Sequence, residues 1–243
     1  MYRDWPASLG DDVEVVGVQL PGRETRMFEP PLDSVTSVVT SLAADIHEWL
    51  DRPFALFGHS MGALLAFELA RVLQKRGTPP LTLAVSAFRA PHRPGRRRRV
   101  ADLHDEELLA ELRTLTATPH TALAHADFAR LILPTLRADI TMCERHVWQR
   151  GEPLSCPILA FGGRQDHTVS RGALEDWARH TAEAFKVHVL PGDHFYLDAS
   201  RHLVARSILK HLKQRARQQP IDGMRASGPQ IPRSRAASAV MRD

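Results

Sequence analysis

Residues 54–70 read FALFGHSMGALLAFELA, a short apolar run that leads through GHSMG at 58–62 into an apolar helical pattern. This is the G-x-S-x-G motif in a strand–turn–helix setting, where a sharp turn exposes the serine hydroxyl at the end of a strand. Small residues flank such a serine because strand and helix approach each other closely. The stretch therefore predicts Ser60 as a nucleophile at the edge of a β-sheet.

The helix that begins after Ser60 offers unpaired backbone N–H groups and a dipole that favours negative charge beside the serine. We therefore predict the backbone N–H of Met61 as an oxyanion-hole donor. The alternative is that Ser60 only caps the helix, since serine is a favoured N-cap residue.

Length and composition suit a single α/β domain of 243 residues. The two cysteines, Cys143 and Cys156, lack the spacing of a zinc or redox site, so we expect a reducing compartment and neither metal nor cofactor. The N-terminus shows no signal-peptide pattern, and no stretch is long enough to span a bilayer. We expect a cytoplasmic monomer without a membrane partner.

The formal net charge of +4 is concentrated at the C-terminus. Residues 213–243 contain seven Lys and Arg against two Asp, so the rest of the chain is close to neutral. This segment is rich in Pro, Ser and Arg and poor in apolar residues, which predicts a disordered basic tail. A basic tail without a basic domain face does not favour a nucleic-acid partner.

Strand and helix patterns alternate along residues 1–212, which predicts an α/β domain with a mostly parallel sheet. The strands are expected at 13–18, 54–57, 81–88, 157–161 and 185–190. The helices of the sheet domain are expected at 35–50, from 61 to about 75, at 172–184 and at 198–213. Between about 95 and 150 the pattern is helical only, which predicts a lid of two helices, at 105–116 and 124–149. Their apolar faces are expected to pack, and include Leu108, Leu109, Leu112, Leu115, Phe128, Leu131, Ile132, Leu136, Ile140 and Met142.

Two candidate partners for Ser60 follow later strands. Asp166 comes after the strand at 157–161, and His194 comes after the strand at 185–190. Reactive groups collect at the carboxyl ends of parallel strands, so these side chains share one edge of the sheet. The chain order Ser, Asp, His is that of α/β-hydrolases, in which histidine takes the serine proton and aspartate orients the histidine.

The rival residues occupy less suitable positions. Asp193 is adjacent to the histidine, and Asp176 falls within a predicted helix. His167 is interpreted as a loop residue. The other histidines considered fall in helices or the lid, where partial exposure is usual, or inside a strand: His120, His125, His146, His180, His202 and His211, with His188 in the strand.

The chain resembles the type II thioesterases that accompany polyketide synthases and nonribosomal peptide synthetases. The matching segments cover nearly all of the predicted domain: VEVVGVQLPGRE at 13–24, FALFGHSMGALLAFELA at 54–70, SAFRAPH at 86–92, LPTLRADI at 133–140, PILAFGGRQD at 157–166 and PGDHFYL at 191–197. The resemblance implies hydrolysis of acyl groups from the phosphopantetheine arm of an acyl or peptidyl carrier protein, with Ser60, His194 and Asp166 as the catalytic triad. Such carriers are typically acidic, so Arg93 and Arg96–Arg99 are candidates for electrostatic docking, although a solvated charge run explains them equally well.

One departure from the family concerns the N-terminus. The resemblance implies an initial strand and a loop of the type P-H-A-G-G, which completes the oxyanion hole, and YRDW at 2–5 looks like the segment just after that loop. We therefore expect an unfilled position beside the nucleophile strand, from a misplaced start codon or a truncated copy. Losing one oxyanion donor costs roughly a hundred- to a thousandfold in rate. The alternative functions are a small-molecule carboxylesterase on the same fold and an inactive remnant.

Overall fold

The computed structural model describes Tyr2 and residues 4–95, 99–115 and 126–218. Within this part of the chain, one parallel sheet contains four strands in the spatial order β1-β2-β3-β4. The strands are β1 (Ala55–His59), β2 (Thr82–Ser86), β3 (Ile158–Gly163) and β4 (Phe185–Leu190). Because all four run in the same direction, their carboxyl ends lie at one edge of the sheet, as the sequence predicted.

The described residues contain seven α-helices. They are α1 (Trp5–Leu9), α2 (Val35–Asp45), α3 (Met61–Lys75), α4 (Asp105–Leu115), α5 (Ala126–Arg145), α6 (Arg171–Glu175) and α7 (Leu197–Gln218). Alternate residues of β2 face opposite layers, since Leu83 and Val85 pack in the cluster of α2 and α3, whereas Ala84 packs in the cluster of α1 and α7. The central strands β2 and β3 are therefore buried on both faces, which explains why they are mostly apolar, whereas Lys186 of the edge strand β4 is exposed.

The predicted strand at 13–18 is wrong. These residues have no sheet pairing in the structure, and Val16 and Val18 are 38% and 51% exposed. Val13 and Val15 pack only partly, against the cluster that contains Trp5. β-branched residues favour strands because they fit a half-buried pleated surface. Residues 13–18 have no neighbouring strand to pair with, so they form no strand.

The outer edge of β1 has no strand beside it in the described part of the chain. The N–H of Ser60 donates to the carbonyl of Ser86 on β2, so the backbone N–H of His59 points away from β2. Partial burial raises the pKa of the Tyr2 phenol to about 12, and a hydrogen bond to the His59 backbone partly offsets this rise. The Tyr2 and Trp5 rings lie 5.9 and 4.5 Å from Phe57, centroid to centroid. Aromatic side chains thus cover part of the position where the resemblance implies a strand.

Several element boundaries differ from the predictions. The closing helix α7 continues to Gln218, so residues 213–218 are helical and do not belong to the predicted tail; residues 219–243 lie outside the described residues. The predicted helices at 35–50 and 172–184 are each a shorter α-helix followed by a 3-10 turn, at Ile46–Trp49 and Asp176–His180. The short α1 was not predicted. No helix among the described residues has both the length and the apolar character needed to cross a membrane.

The insertion between β2 and β3 contains α4 and α5, as predicted, and has a small core of its own. Val100, Leu108 and Leu133 are its buried members. Phe128 and Leu131 were predicted to pack but are 44% and 52% exposed, whereas Ala129 and Leu133 of the same helix are buried. Residues 116–125, which include His120 and His125, lie outside the described residues.

Two contacts join the insertion to the loop after residue 18. Thr135 Oγ1 on α5 donates to the carbonyl of Gly22 at 2.9 Å, and Arg23 forms an ion pair with Asp139 on the same helix. Burial raises the pKa of the Asp139 carboxyl, and the Arg23 guanidinium partly offsets this rise. The loop and α5 are therefore held together at the side of the lid.

His180 is buried, which corrects the expectation of an exposed histidine. It is 5% exposed, and its Nε2 lies 2.8 Å from Nδ1 of His92. Three further rings surround it at centroid distances of 5.0 to 5.6 Å, namely Phe67, Trp148 and Trp177. Burial lowers the pKa of His180 to about 4, so the imidazole is neutral in the folded protein at neutral pH.

This burial predicts acid sensitivity between about pH 6.5 and pH 4. In that window the unfolded chain protonates His180 and the folded protein does not, so the free energy of unfolding falls as the pH falls. The contribution is on the order of 2 kcal/mol between pH 7 and pH 4.5. His180→Phe should reduce the difference in the free energy of unfolding between pH 7 and pH 4.5 by this amount, as measured by urea titrations at the two pH values. His202→Gln, at an exposed position of α7, serves as the control, and equal slopes for His180→Phe and the parent protein would contradict the prediction.

Candidate active site

Ser60 lies on a strained turn between β1 and α3. Its φ angle is +54°, in the left-handed region that residues with a side chain rarely adopt. A Cβ at Gly58 would overlap the carbonyl of Gly62, so only glycine permits the close approach of strand and helix. The Ser60 side chain makes no capping hydrogen bond to α3, which removes the interpretation that it only caps the helix.

The structure brings Ser60, His194 and Asp166 together, as the sequence predicted. Ser60 Oγ lies 3.0 Å from His194 Nε2, and His194 Nδ1 lies 2.9 Å from Asp166 Oδ2. The Asp166 side chain is fully shielded from solvent, and that of His194 is 14% exposed. Three residues separated by up to 134 positions thus form one chain of hydrogen bonds at the carboxyl edge of the sheet.

The other oxygen of Asp166 is held by residues that sequence reasoning missed. Oδ1 accepts from Thr168 Oγ1 at 2.6 Å, from the Thr168 N–H at 2.8 Å and from the Val169 N–H at 3.2 Å. Burial raises the pKa of the Asp166 carboxyl, but the hydrogen bonds from His194 and Thr168 together outweigh it, and the pKa is lowered. The carboxylate is therefore ionised and fixed in orientation. The spacing D-x-T in a turn was the available signal for Thr168.

An ionised Asp166 determines the tautomer of neutral His194. The carboxylate can only accept, so Nδ1 carries the proton and Nε2 presents its lone pair to the Ser60 hydroxyl. In this state the imidazole can accept the serine proton, and the carboxylate stabilises the imidazolium that results. The arrangement is suited to nucleophilic acyl transfer.

Met61 is the first residue of α3, and its backbone N–H belongs to the helical turn that lacks intrahelical acceptors. It lies directly after Ser60 at the positive end of a 15-residue helix. This position fits the predicted oxyanion donor.

The structure gives the rival residues other contacts. His188 stacks on Phe161 at 5.0 Å within the sheet, and the carboxylate of Asp193 accepts from the N–H of Phe195 at 2.8 Å. Asp176 forms an ion pair with Arg93, which holds the pKa of the carboxyl below its usual range. The Arg93 charge proposed for docking is thus already paired. Residues 96–98 lie outside the described residues.

The loops that carry Asp166 and His194 touch at Gly163, the last residue of β3. A Cβ there would overlap the backbone carbonyls of Asp193 and Gly192. Gly163→Ala should therefore separate the loops, with a loss of about a hundredfold in kcat/KM and a lower melting temperature. Gly172→Ala is the matched control, because no atom lies within 4 Å of its added Cβ. Steady-state kinetics measures this loss, and equal kcat/KM values for Gly163→Ala and Gly172→Ala would contradict the role of Gly163.

Comparisons with known proteins agree with this geometry. A family model described as "Thioesterase domain" matches residues 1–215. Gramicidin S biosynthesis protein GrsT of Aneurinibacillus migulanus is 39% identical over 213 residues, which cover 87% of this chain and 83% of that protein. The structure of the RedJ thioesterase from the prodiginine biosynthetic pathway of Streptomyces coelicolor matches with a TM-score of 0.80 at 40% identity. The alignment covers 86% of this chain and 80% of the RedJ chain.

A third match is the type II thioesterase BorB from the borrelidin biosynthetic cluster. Its TM-score is 0.80 at 38% identity, and the alignment covers 87% of this chain and 86% of BorB.

The parallel sheet and its helical layers define an enzyme of the α/β-hydrolase fold. Within that class, the chain belongs to the thioesterase family, and its relatives include type II thioesterases of polyketide and nonribosomal peptide pathways.

Proposed function

We propose that this thioesterase hydrolyses acyl groups from the phosphopantetheine arm of acyl or peptidyl carrier proteins, and so clears stalled or misprimed units during polyketide or nonribosomal peptide biosynthesis. The observation that carries the chemistry is the hydrogen-bonded chain from Ser60 through His194 to Asp166. The pathway rests on the similarity to proteins named for gramicidin S, prodiginine and borrelidin biosynthesis, and to a type II thioesterase named for an NRPS/PKS pathway.

In the acylation half-reaction, Ser60 Oγ attacks the thioester carbonyl carbon while His194 Nε2 takes the hydroxyl proton. The negative charge on the carbonyl oxygen is stabilised by the Met61 N–H at the start of α3. The tetrahedral intermediate collapses with cleavage of the carbon–sulfur bond, and the imidazolium returns its proton to the departing thiolate. The products are an acyl-serine ester and the free pantetheine thiol.

In the deacylation half-reaction, a water molecule replaces the thiol. His194 takes a proton from the water as its oxygen attacks the acyl-serine carbonyl, and the resulting imidazolium protonates Ser60 Oγ as the ester bond breaks. Asp166 stays ionised throughout and stabilises the imidazolium in both steps. The free acid leaves and Ser60 is regenerated.

The test compares one acyl group on three supports: a carrier protein, N-acetylcysteamine and p-nitrophenol. We expect kcat/KM for the carrier-bound thioester to exceed that for the N-acetylcysteamine thioester by at least about tenfold, because the carrier adds binding surface. A preference for the simple ester would favour the carboxylesterase alternative. Negligible turnover of all three would favour the inactive remnant. Charge reversal of Arg96–Arg99 at low salt tests the docking hypothesis in the same assay, and unchanged carrier turnover would reject it.

We further propose that the enzyme works as a cytoplasmic monomer. Both cysteines are unpaired, and Cys156 is buried. Burial raises the pKa of the Cys143 thiol to about 12 and that of Cys156 to about 11, so neither thiol is reactive at neutral pH. Sedimentation of the purified protein tests the monomer, and a concentration-dependent mass would reject it.

A further inference from the structure

His59 precedes the nucleophile and is buried against the loop that carries His194. It is 7% exposed, although its side chain is polar. The His59 ring lies 5.3 Å from the ring of His194, 6.4 Å from that of Phe195 and 6.0 Å from that of Tyr196. One imidazole thus contacts three consecutive residues of the loop after β4.

A second chain of hydrogen bonds runs beneath the catalytic one. His59 Nδ1 lies 2.8 Å from Ser86 Oγ, and Ser86 Oγ lies 2.6 Å from the hydroxyl of Tyr196. Ser86 is fully buried and Tyr196 is 2% exposed. The carbonyl of Ser86 also accepts the N–H of Ser60 at 2.7 Å. Ser86, at the end of β2, therefore connects the nucleophile turn to the loop of the catalytic histidine.

The environment of His59 keeps its ring uncharged. The pKa of His59 is lowered to about 3. Burial is the larger cause, and the neighbouring His194 contributes to the lowering. A hydrogen bond to the His194 backbone partly offsets this lowering. A neutral ring in this position adds no positive charge beside the imidazolium that forms on His194 during the reaction.

We propose that His59, Ser86 and Tyr196 form a positioning chain that fixes the His194 loop against the nucleophile turn. The inference rests on the proposed roles of Ser60 and His194. None of the three residues touches the reacting atoms, so they act by holding His194 Nε2 within reach of Ser60 Oγ. A small displacement at this point is costly, because proton transfer requires the two atoms at hydrogen-bond distance.

The expected signature is a loss in kcat without a change in KM. Ser86→Ala breaks both hydrogen bonds of the chain, and Tyr196→Phe removes only the terminal hydroxyl and keeps the ring. Ser86→Ala should lower kcat by about tenfold, and Tyr196→Phe by somewhat less. The double variant should lose no more than Ser86→Ala alone, since residues that act as a unit are not additive.

Thr82→Val provides the matched control. Thr82 lies on the same strand as Ser86, is fully buried, and its hydroxyl donates to the carbonyl of Leu81 at 2.7 Å, away from the chain. It tests whether loss of any buried hydroxyl from β2 reduces activity. Melting temperatures of all variants separate a loss of stability from a loss of rate.

The assays are hydrolysis of the N-acetylcysteamine thioester and the rate of labelling of Ser60 by a fluorophosphonate. Lower kcat and slower labelling at unchanged KM, together with full activity of Thr82→Val, would support the proposal. Unchanged kcat in Ser86→Ala, additive losses in the double variant, or an equal loss in Thr82→Val would overturn it. Ser60→Ala in the same assays reports separately on the proposed function, because labelling that persists without Ser60 would reject the nucleophile itself.

Discussion

Ser60→Ala is expected to lower kcat for thioester hydrolysis by about four to six orders of magnitude. The variant keeps the turn and the helix but removes the atom that lies 3.0 Å from His194 Nε2. No acyl-serine can form, so the fluorophosphonate label should also be lost. KM should change little, because the hydroxyl contributes to the transition state and not to carrier binding.

The control for this prediction is Ser41→Ala, at an exposed position of α2. Its activity and labelling should equal those of the parent protein. Mass spectrometry of the labelled protein would identify the modified residue. A label found on any residue other than Ser60 would reject the assignment of the nucleophile.

Asp166→Asn should lower kcat by on the order of 10⁴-fold. Three donors surround the Oδ1 position, two from Thr168 and one from Val169, and they select the amide oxygen of asparagine. The amide NH₂ then occupies the Oδ2 position, 2.9 Å from His194 Nδ1. An NH₂ group cannot accept the Nδ1 proton, so the imidazole adopts the tautomer that cannot take a proton from Ser60.

Asp193→Asn makes the same chemical change one residue before His194. The Asp193 carboxylate accepts from the Phe195 N–H, and an asparagine oxygen can do the same, so activity should be retained. Steady-state kinetics on one thioester compares the two variants. Equal losses would mean that charge near His194 matters and the specific contact of Asp166 does not.

The site could be predicted largely from the sequence because its signals are local and ordered. The turn at Ser60 has a motif, and Asp166 and His194 follow strands that end at the same edge of the sheet. Thr168 was missed because its role depends on the conformation of one turn, which the spacing alone does not determine. His59 is part of the motif, but its contacts with Ser86 and Tyr196 arise only in the folded protein.

The errors in the fold have a related cause. Residues 13–18 have the composition of a strand, but pairing depends on a neighbouring strand that local composition cannot reveal. His180 falls in a short helical segment that looks exposed, and it is buried by rings at 67, 148 and 177, which are distant in the sequence. Local sequence patterns predicted where most helices and strands lie along the chain, but they predicted less well which residues pack or pair with them.

The small core of the helical insertion has a practical consequence. The three residues of the hydrogen-bonded chain come from loops after β1, β3 and β4, whereas α4 and α5 share a small core, and Met142 of α5 also packs in the core of the sheet. We therefore expect that residues 99–150 can be exchanged for those of another member of the family without loss of the catalytic residues, provided that the graft retains counterparts of Thr135, Asp139 and Met142. The selectivity of such chimeric enzymes would then measure how far the insertion determines the acyl group that is hydrolysed.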